Sequence, residues 1–305
     1  MKNNVLDRLF PCGLSVTVQS LVLKFTCECE LGDEAAASAL RDGIGRGLKR
    51  LHACADPSSC RCACCSIFKP LNPPGFAGGL GPGFVLETPG LSGSIDSGRI
   101  SRVRLLLLGT AGSALPWFLC ALLHCGQVGI GDPRAKFTVD TTGAPRIITS
   151  SDILAKASSL AGTRECKIVF DAPFALTVNG TVSEELSFSR LVKAICERLQ
   201  PNVGYWCGEW MRNSHRDGIV EPLLRESEDA DWEFRRGGIV REYARKYDGR
   251  FASLLGFKGE LRVRGNLDRF WPLLLAGSLV HIGKYPHLDR GRFFVEANGK
   301  RIDWD

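Results

Sequence analysis

A chain of 305 residues, 44% hydrophobic and 24% charged, has the composition of a soluble globular protein. It is long enough for two domains of about 150 residues, each with its own core. The net charge of +6 is concentrated, since residues 235–305 hold 15 Lys/Arg against 8 Asp/Glu, which suits a polyanionic partner. The first residues, Met1-Lys-Asn-Asn-Val-Leu-Asp-Arg8, carry no apolar signal-peptide core. A cytoplasmic protein is expected, with its 13 cysteines as thiols or metal ligands rather than disulfides.

Leu14 to Glu28 alternates apolar and polar residues and predicts a long first strand. Asp33-Glu-Ala-Ala-Ala opens a helix to about His52, with Leu40, Ile44, Leu48 and Leu51 at helical spacing. A cysteine-rich loop and an extended stretch, Pro70 to Pro82, lead to strands at 84–89 and 100–108. Leu105 to Leu123 is a run of 19 uncharged residues, long enough to be mistaken for a membrane span. Gly109, Gly112, Ser113 and Pro116 interrupt it, so it reads as a strand end, a turn and a helix over 113–125, and no membrane partner is expected. A strand at 136–140 completes the order β-α-β-β-α-β, the ferredoxin-like motif.

Thr141 to Gly162 is polar and turn-rich and reads as a linker. The order then returns: strand 166–178, helix 183–199, an irregular stretch 202–234, strands 239–246 and 257–264, helix 268–277 and strand 292–295. The fold class expected is α+β, two tandem ferredoxin-like (RRM-like, βαββαβ) domains over 1–145 and 160–305. Trp117 to Gly131 and Trp271 to Gly283 repeat one order of features: apolar helix, glycines, basic residues, strand. That separation suggests a duplicated domain rather than a solenoid, whose periods are roughly 20–50 residues.

The second of these segments is the more informative: Gly277-Ser-Leu-Val-His281-Ile-Gly283-Lys284-Tyr-Pro-His287-Leu-Asp289-Arg290-Gly291-Arg292. Glycines let backbone approach backbone and bare its amides, while Lys284, Arg290 and Arg292 supply charge for phosphates. Upstream, Arg241, Tyr243, Arg245 and Tyr247 interleave base with aromatics. Alternate side chains on a strand share a face, so these could stack on bases. An edge strand with a charged rim is the alternative. Cys54, Cys60, Cys62 and Cys65 are close enough in sequence to form a structural zinc site. Because only Cys62 and Cys65 make a C-x-x-C pair, buried or exposed thiols stand as the other reading.

Cys64-Cys65-Ser-Ile-Phe68-Lys-Pro70, Phe84-Val-Leu-Glu-Thr-Pro89, Leu105-Leu-Leu-Leu-Gly109, Gly126-Gln-Val-Gly-Ile-Gly131 and His281-Ile-Gly-Lys284 with Gly291-Arg292 carry a family likeness. They resemble the CRISPR-associated precursor-RNA-processing endoribonucleases of the RAMP superfamily, in that family's order from first strand to last. The resemblance implies two ferredoxin-like domains, a Gly-rich loop after the final helix and RNA laid along a basic face. It also implies binding of CRISPR repeat RNA (crRNA) and, as partners, other subunits of a CRISPR effector complex. Cleavage would use the neighbouring 2′-hydroxyl without a required cofactor, leaving a 2′,3′-cyclic phosphate and a 5′-hydroxyl. A non-catalytic subunit holding the repeat hairpin is the alternative. Tyr285-Pro-His287-Leu-Asp289 departs from the family's small, hydroxylated residues, and an acid there calls for pairing with Arg290 or Arg292.

Such cleavage needs a base, an acid and a cation for the phosphorane charge. Of the five histidines, His124 reads as structural and His215 as solvent-exposed. Many relatives place a catalytic histidine where His52 ends the first helix, and a helix-terminal residue favourable to the dipole is its other reading. His281 either acts in catalysis or orients the loop. The catalytic set expected is His52, His281 and Lys284, with His52 facing Lys284 across a groove between the domains. The RNA-binding set is Arg241, Tyr243, Arg245, Tyr247, Gly283, Lys284, Arg290, Gly291 and Arg292.

Overall fold

A computed structural model describes residues 5–9, 13–31, 36–52, 62–68, 81–178, 181–183, 185–208, 213–245 and 251–304. The first half builds strand β1 (Ser15–Phe25), helix α1 (Ala36–His52), strands β2 (Phe84–Glu87) and β3 (Ile100–Leu108), helix α2 (Leu115–Val128) and strand β4 (Phe137–Thr141). The sheet order is β2-β3-β1-β4, antiparallel throughout, with Val16 opposite Leu108 and Phe25 opposite Phe137. The two helices cover one face. They cross closely because Gly47 presents bare backbone: a Cβ there would lie 2.7 Å from the Ala121 carbonyl oxygen. The long uncharged run is broken as expected by a 3-10 turn, Gly109–Ala114, ahead of α2. Gly109–Val128 is long and apolar enough to cross a membrane by length and composition. Here α2 packs on α1 and buries Phe118, Leu122 and Cys125.

The stretch read as a linker is not structureless. Strand β5 (Arg146–Thr149) pairs with β1, and helix α3 (Ser150–Ser158) follows. Thr149 and Asp152 form a capping box: the Thr149 hydroxyl accepts from the Asp152 amide, and the Asp152 carboxylate accepts from the Thr149 amide at 2.8 Å.

The second half repeats the arrangement with β6 (Glu165–Phe174), α4 (Phe188–Glu197), α5 (Asn213–Glu228), β7 (Asp231–Arg245), β8 (Phe251–Arg264), α6 (Trp271–Val280), β9 (Phe294–Ala297) and β10 (Lys300–Ile302). Its sheet order, β7-β8-β6-β9-β10, is that of the first sheet with one added edge strand. Helix α5 occupies part of the stretch expected to be irregular. Pro222 and Gly218 inside it, and its many charges, weaken the helical signal, and packing against α4 holds it in place. Strand β7 begins eight residues earlier than its alternation suggests, because Gly237 and Gly238 sit at a register shift between Arg236 and Ile239. The two halves meet where the end of β2 abuts the turn after α6.

Candidate functional site

The Gly-rich segment links α6 to β9. Its first residue, His281, has φ 57° and ψ 164°, a backbone region used almost only by glycine. The ring is wholly buried, and its Nε2 lies 3.0 Å from Oε1 of Glu87 on β2. Arg104 approaches the other Glu87 oxygen at 3.2 Å. Burial alone would raise the Glu87 pKa. The hydrogen bond and charge of His281, with Arg104 and Arg292 beyond, outweigh it and hold the carboxyl below the usual range. The assignment of His281 to catalysis is therefore corrected: no RNA reaches a sealed ring, and His281 pins the loop to the first half of the chain.

Gly283 and Gly291 also differ in role from the expectation. At Gly283 (φ 73°) a Cβ would lie 2.5 Å from the Ala175 oxygen, and at Gly291 (φ 71°) 1.8 Å from the Ile282 oxygen. The amides of Lys284 and Gly291 donate to the carbonyls of Ala175 (3.3 Å) and Pro173 (2.9 Å), so they are spent on the end of β6 rather than bared for phosphate. Arg290, 1% exposed, pairs with Glu242 at 2.6 Å. Arg292 pairs with Asp171 at 3.0 Å and Asp289 at 2.8 Å. Both arginines are committed inside the protein, which corrects their assignment as phosphate contacts. The acid in the loop finds its expected partner in Arg292. It also accepts from the Thr88 amide at 2.7 Å and the Thr88 hydroxyl at 3.1 Å. Burial pushes the Asp289 pKa up to about 6 against the pull of Arg292 and His281.

What remains open to a ligand is Lys284. It is exposed and lines a cavity of about 650 Å³ with Arg190, Lys193, Arg198, Tyr285 and His287, with Glu197 as the acid at the edge. Arg190, Lys193 and Glu197 stand on the exposed side of α4, and Arg198 follows its last residue. Arg198 is 5% exposed, and burial pushes its pKa down to about 10. His287 is held neutral: burial, then the charges of Arg41 and Arg198, push its pKa down to about 3. Sequence reading missed Arg190, Lys193 and Arg198. The three-residue spacing of Arg190 and Lys193 on an amphipathic helix was the available signal. Nothing local marks Arg198.

His52 ends α1 with Lys49 and Arg50 in the same last turn, and its ring packs 4.5 Å from that of Trp117. The turn 286–288 packs on the same helix, where Arg41 acts on His287. His52 lies 11 residues beyond Arg41 on that helix, about 16 Å at the α-helical rise. The cavity that Lys284 lines has no His52 in its wall. On β7, Glu242 and the buried Ala244 face inward, which places Arg241 and Tyr243 on the opposite face; Arg241 is exposed. Arg245 ends that strand, and Tyr247 lies outside the described residues. Cys54 and Cys60 also lie outside them, while the Cys62 sulfur accepts from the Cys65 amide at 3.4 Å. Among the described residues no three or more His, Cys, Asp or Glu side chains group as metal ligands.

The AF_1859_N family model, an N-terminal domain, matches residues 14–162. No curated protein matches the chain. Among solved structures, Thermus thermophilus Cas6 is similar at 13% identity and a TM-score of 0.53, over 92% of this chain and 99% of its own. The same protein in a product complex gives 16% and 0.55, over 92% and 100%. A partial Cas6-RT-Cas1–Cas2 complex gives 11% and 0.56, over 97% of this chain and 48% of its own. The class defined by these observations is a tandem ferredoxin-like protein. Its fold is the fold of Cas6, in agreement with the resemblance carried by the sequence motifs.

Proposed function

We propose that the chain binds CRISPR repeat RNA and processes precursor CRISPR RNA by metal-independent cleavage. The observation that carries this reading is the Cas6 fold, shared over 92% of the chain, with a cluster of unburied basic side chains at its Gly-rich turn. Lys193 and Lys284 place charge on the RNA backbone, and Arg241 and Tyr243 on the outer face of β7 extend the contact. The proton carrier we assign is His52, which sits in a basic helix end rather than a sealed core. It takes the 2′-hydroxyl proton as the 2′-oxygen bonds to phosphorus. The bond from phosphorus to the 5′-oxygen breaks, and that oxygen takes a proton from water, giving a 2′,3′-cyclic phosphate and a 5′-hydroxyl.

The absence of His52 from the cavity wall that holds Lys284 favours a second reading, a non-catalytic subunit that keeps hold of the repeat. In both readings other CRISPR subunits are partners. Incubating the protein with end-labelled repeat RNA in EDTA separates the two. Cleavage to a cyclic-phosphate end is expected, and intact RNA despite tight binding would leave only the second.

A further inference from the structure

We propose that the cavity between α4 and the 283–287 turn is a nucleoside-phosphate site, with Arg198, Lys193 and Lys284 on the phosphate and Tyr285 stacked on the base. The proposal deepens the RNA reading and rests on it for the source of the ligand, not for its chemistry.

Arg198 is the central observation. Its Nε donates to the Val280 carbonyl at 3.1 Å, while Nη2 is buried with no partner among the described residues. Burial is what lowers its pKa, and among the described residues Arg198 forms no ion pair with a carboxylate. A buried guanidinium with an unmet N–H is costly, and an anion in the cavity it lines would remove both deficits at once. The surroundings are basic on balance: Lys193 and Lys284 share the wall with one acid, Glu197, and the charges of Arg41 and Arg198 act on His287. Arg190 is engaged with the Ser183 hydroxyl and the Glu185 carbonyl, so it frames the mouth.

Two further groups suit a nucleoside rather than a bare ion. The Nδ1 of His287 is buried without a partner, a polar atom available to a ligand. Tyr285 is held in the left-handed region (φ 61°, ψ 46°) and is 45% exposed beside the cavity. Such backbone strain is retained where the surrounding structure enforces it, and here it turns a flat aromatic face outward. A volume of about 650 Å³ falls within the roughly 300–1,000 Å³ typical of small-molecule sites. The competing explanation is that Arg198 does no more than cap the last carbonyls of α6.

The test uses the intact chain in phosphate-free buffer with AMP, adenosine and a short unstructured RNA. AMP is expected to raise the melting temperature, adenosine to do so far less, and saturating AMP to move the His287 titration upward by NMR. Arg198→Gln should weaken AMP binding about tenfold or more, as loss of a charged hydrogen bond would. Equal AMP affinity in the wild type and Arg198→Gln, or a His287 titration unmoved by AMP, overturns the proposal. If Arg198→Gln does not fold, the surface double variant Lys193→Gln/Lys284→Gln must show the same loss, and its failure to do so overturns the site. RNA that displaces AMP supports the proposal with a polymer as the source. AMP binding that no RNA displaces supports the site with a free nucleotide as occupant and removes the RNA reading alone. RNA binding indifferent to AMP and to Arg198→Gln removes the site alone.

Discussion

At the scale of single residues, the loop shows how a basic, glycine-rich sequence can be mistaken for a phosphate cradle. Arg290 and Arg292 read as free charges because their partners are remote in sequence: Glu242 and Asp171 lie 48 and 121 positions away. Among the described residues Lys284 has no such commitment, and it is exposed. His281→Ala should destabilise the fold by about 1.5–3 kcal/mol in urea unfolding, since the buried Glu87 carboxylate loses a hydrogen bond and keeps Arg104. A variant as stable as wild type would show that the His281–Glu87 contact is incidental. His52→Ala should instead slow single-turnover cleavage by about 10²–10⁴-fold with little change in melting temperature or RNA affinity. An unchanged rate would take proton transfer away from His52.

At the scale of elements, the 281–292 turn contains two groups whose titrations oppose each other. Asp289 has a raised folded pKa of about 6, so its contribution is most favourable below the unfolded value of about 4 and is lost as pH rises through 6. His287 has a depressed folded pKa of about 3. Its unfolded form takes up a proton first, so stability falls as pH drops from about 6.5 towards 3. Between pH 4 and 6 the two slopes, each about 1.4 kcal/mol per pH unit, cancel. His287→Gln should therefore become more stable on acidification through this window, and Asp289→Asn less stable. Urea titrations at several pH values in phosphate-free buffer measure both, and parallel curves for the two variants would refute the opposition. Among the elements themselves, the long strands and apolar helices were legible because their periodicity is set by a buried face. The capping box at Thr149 was legible but overshadowed by the polar composition around it. Helix α5 was not, since tertiary packing rather than local preference holds a helix containing Pro222.

At the scale of the whole molecule, the βαββαβ repeat could be read from the order of elements, and both sheets take the same strand order. The cavity could not, because it is made from α4, the turn after α6, and Gly81 and Pro82 from the first half. The basic C-terminal quarter predicts salt-sensitive binding, but much of that charge is internally paired. Lys193→Ala/Lys284→Ala should flatten the dependence of log K for repeat RNA on log salt by about one to two units, since single strands release roughly 0.7 counterions per phosphate contact. An unaltered slope would place the RNA on another face.

The contacts of Glu87 with His281 and of Thr88 with Asp289 span 194 and 201 positions of sequence. Closing so long a loop is entropically expensive until both sheets exist, so these contacts belong to the end of folding rather than its nucleus. The turn that carries Lys284 would then be the last part of the molecule to acquire its shape. During synthesis the first half would wait, with β2 already paired to β3, for a segment translated 194 positions after Glu87. In a pulsed hydrogen-exchange experiment the Thr88 amide, though it lies in the first half, should gain protection in step with the second.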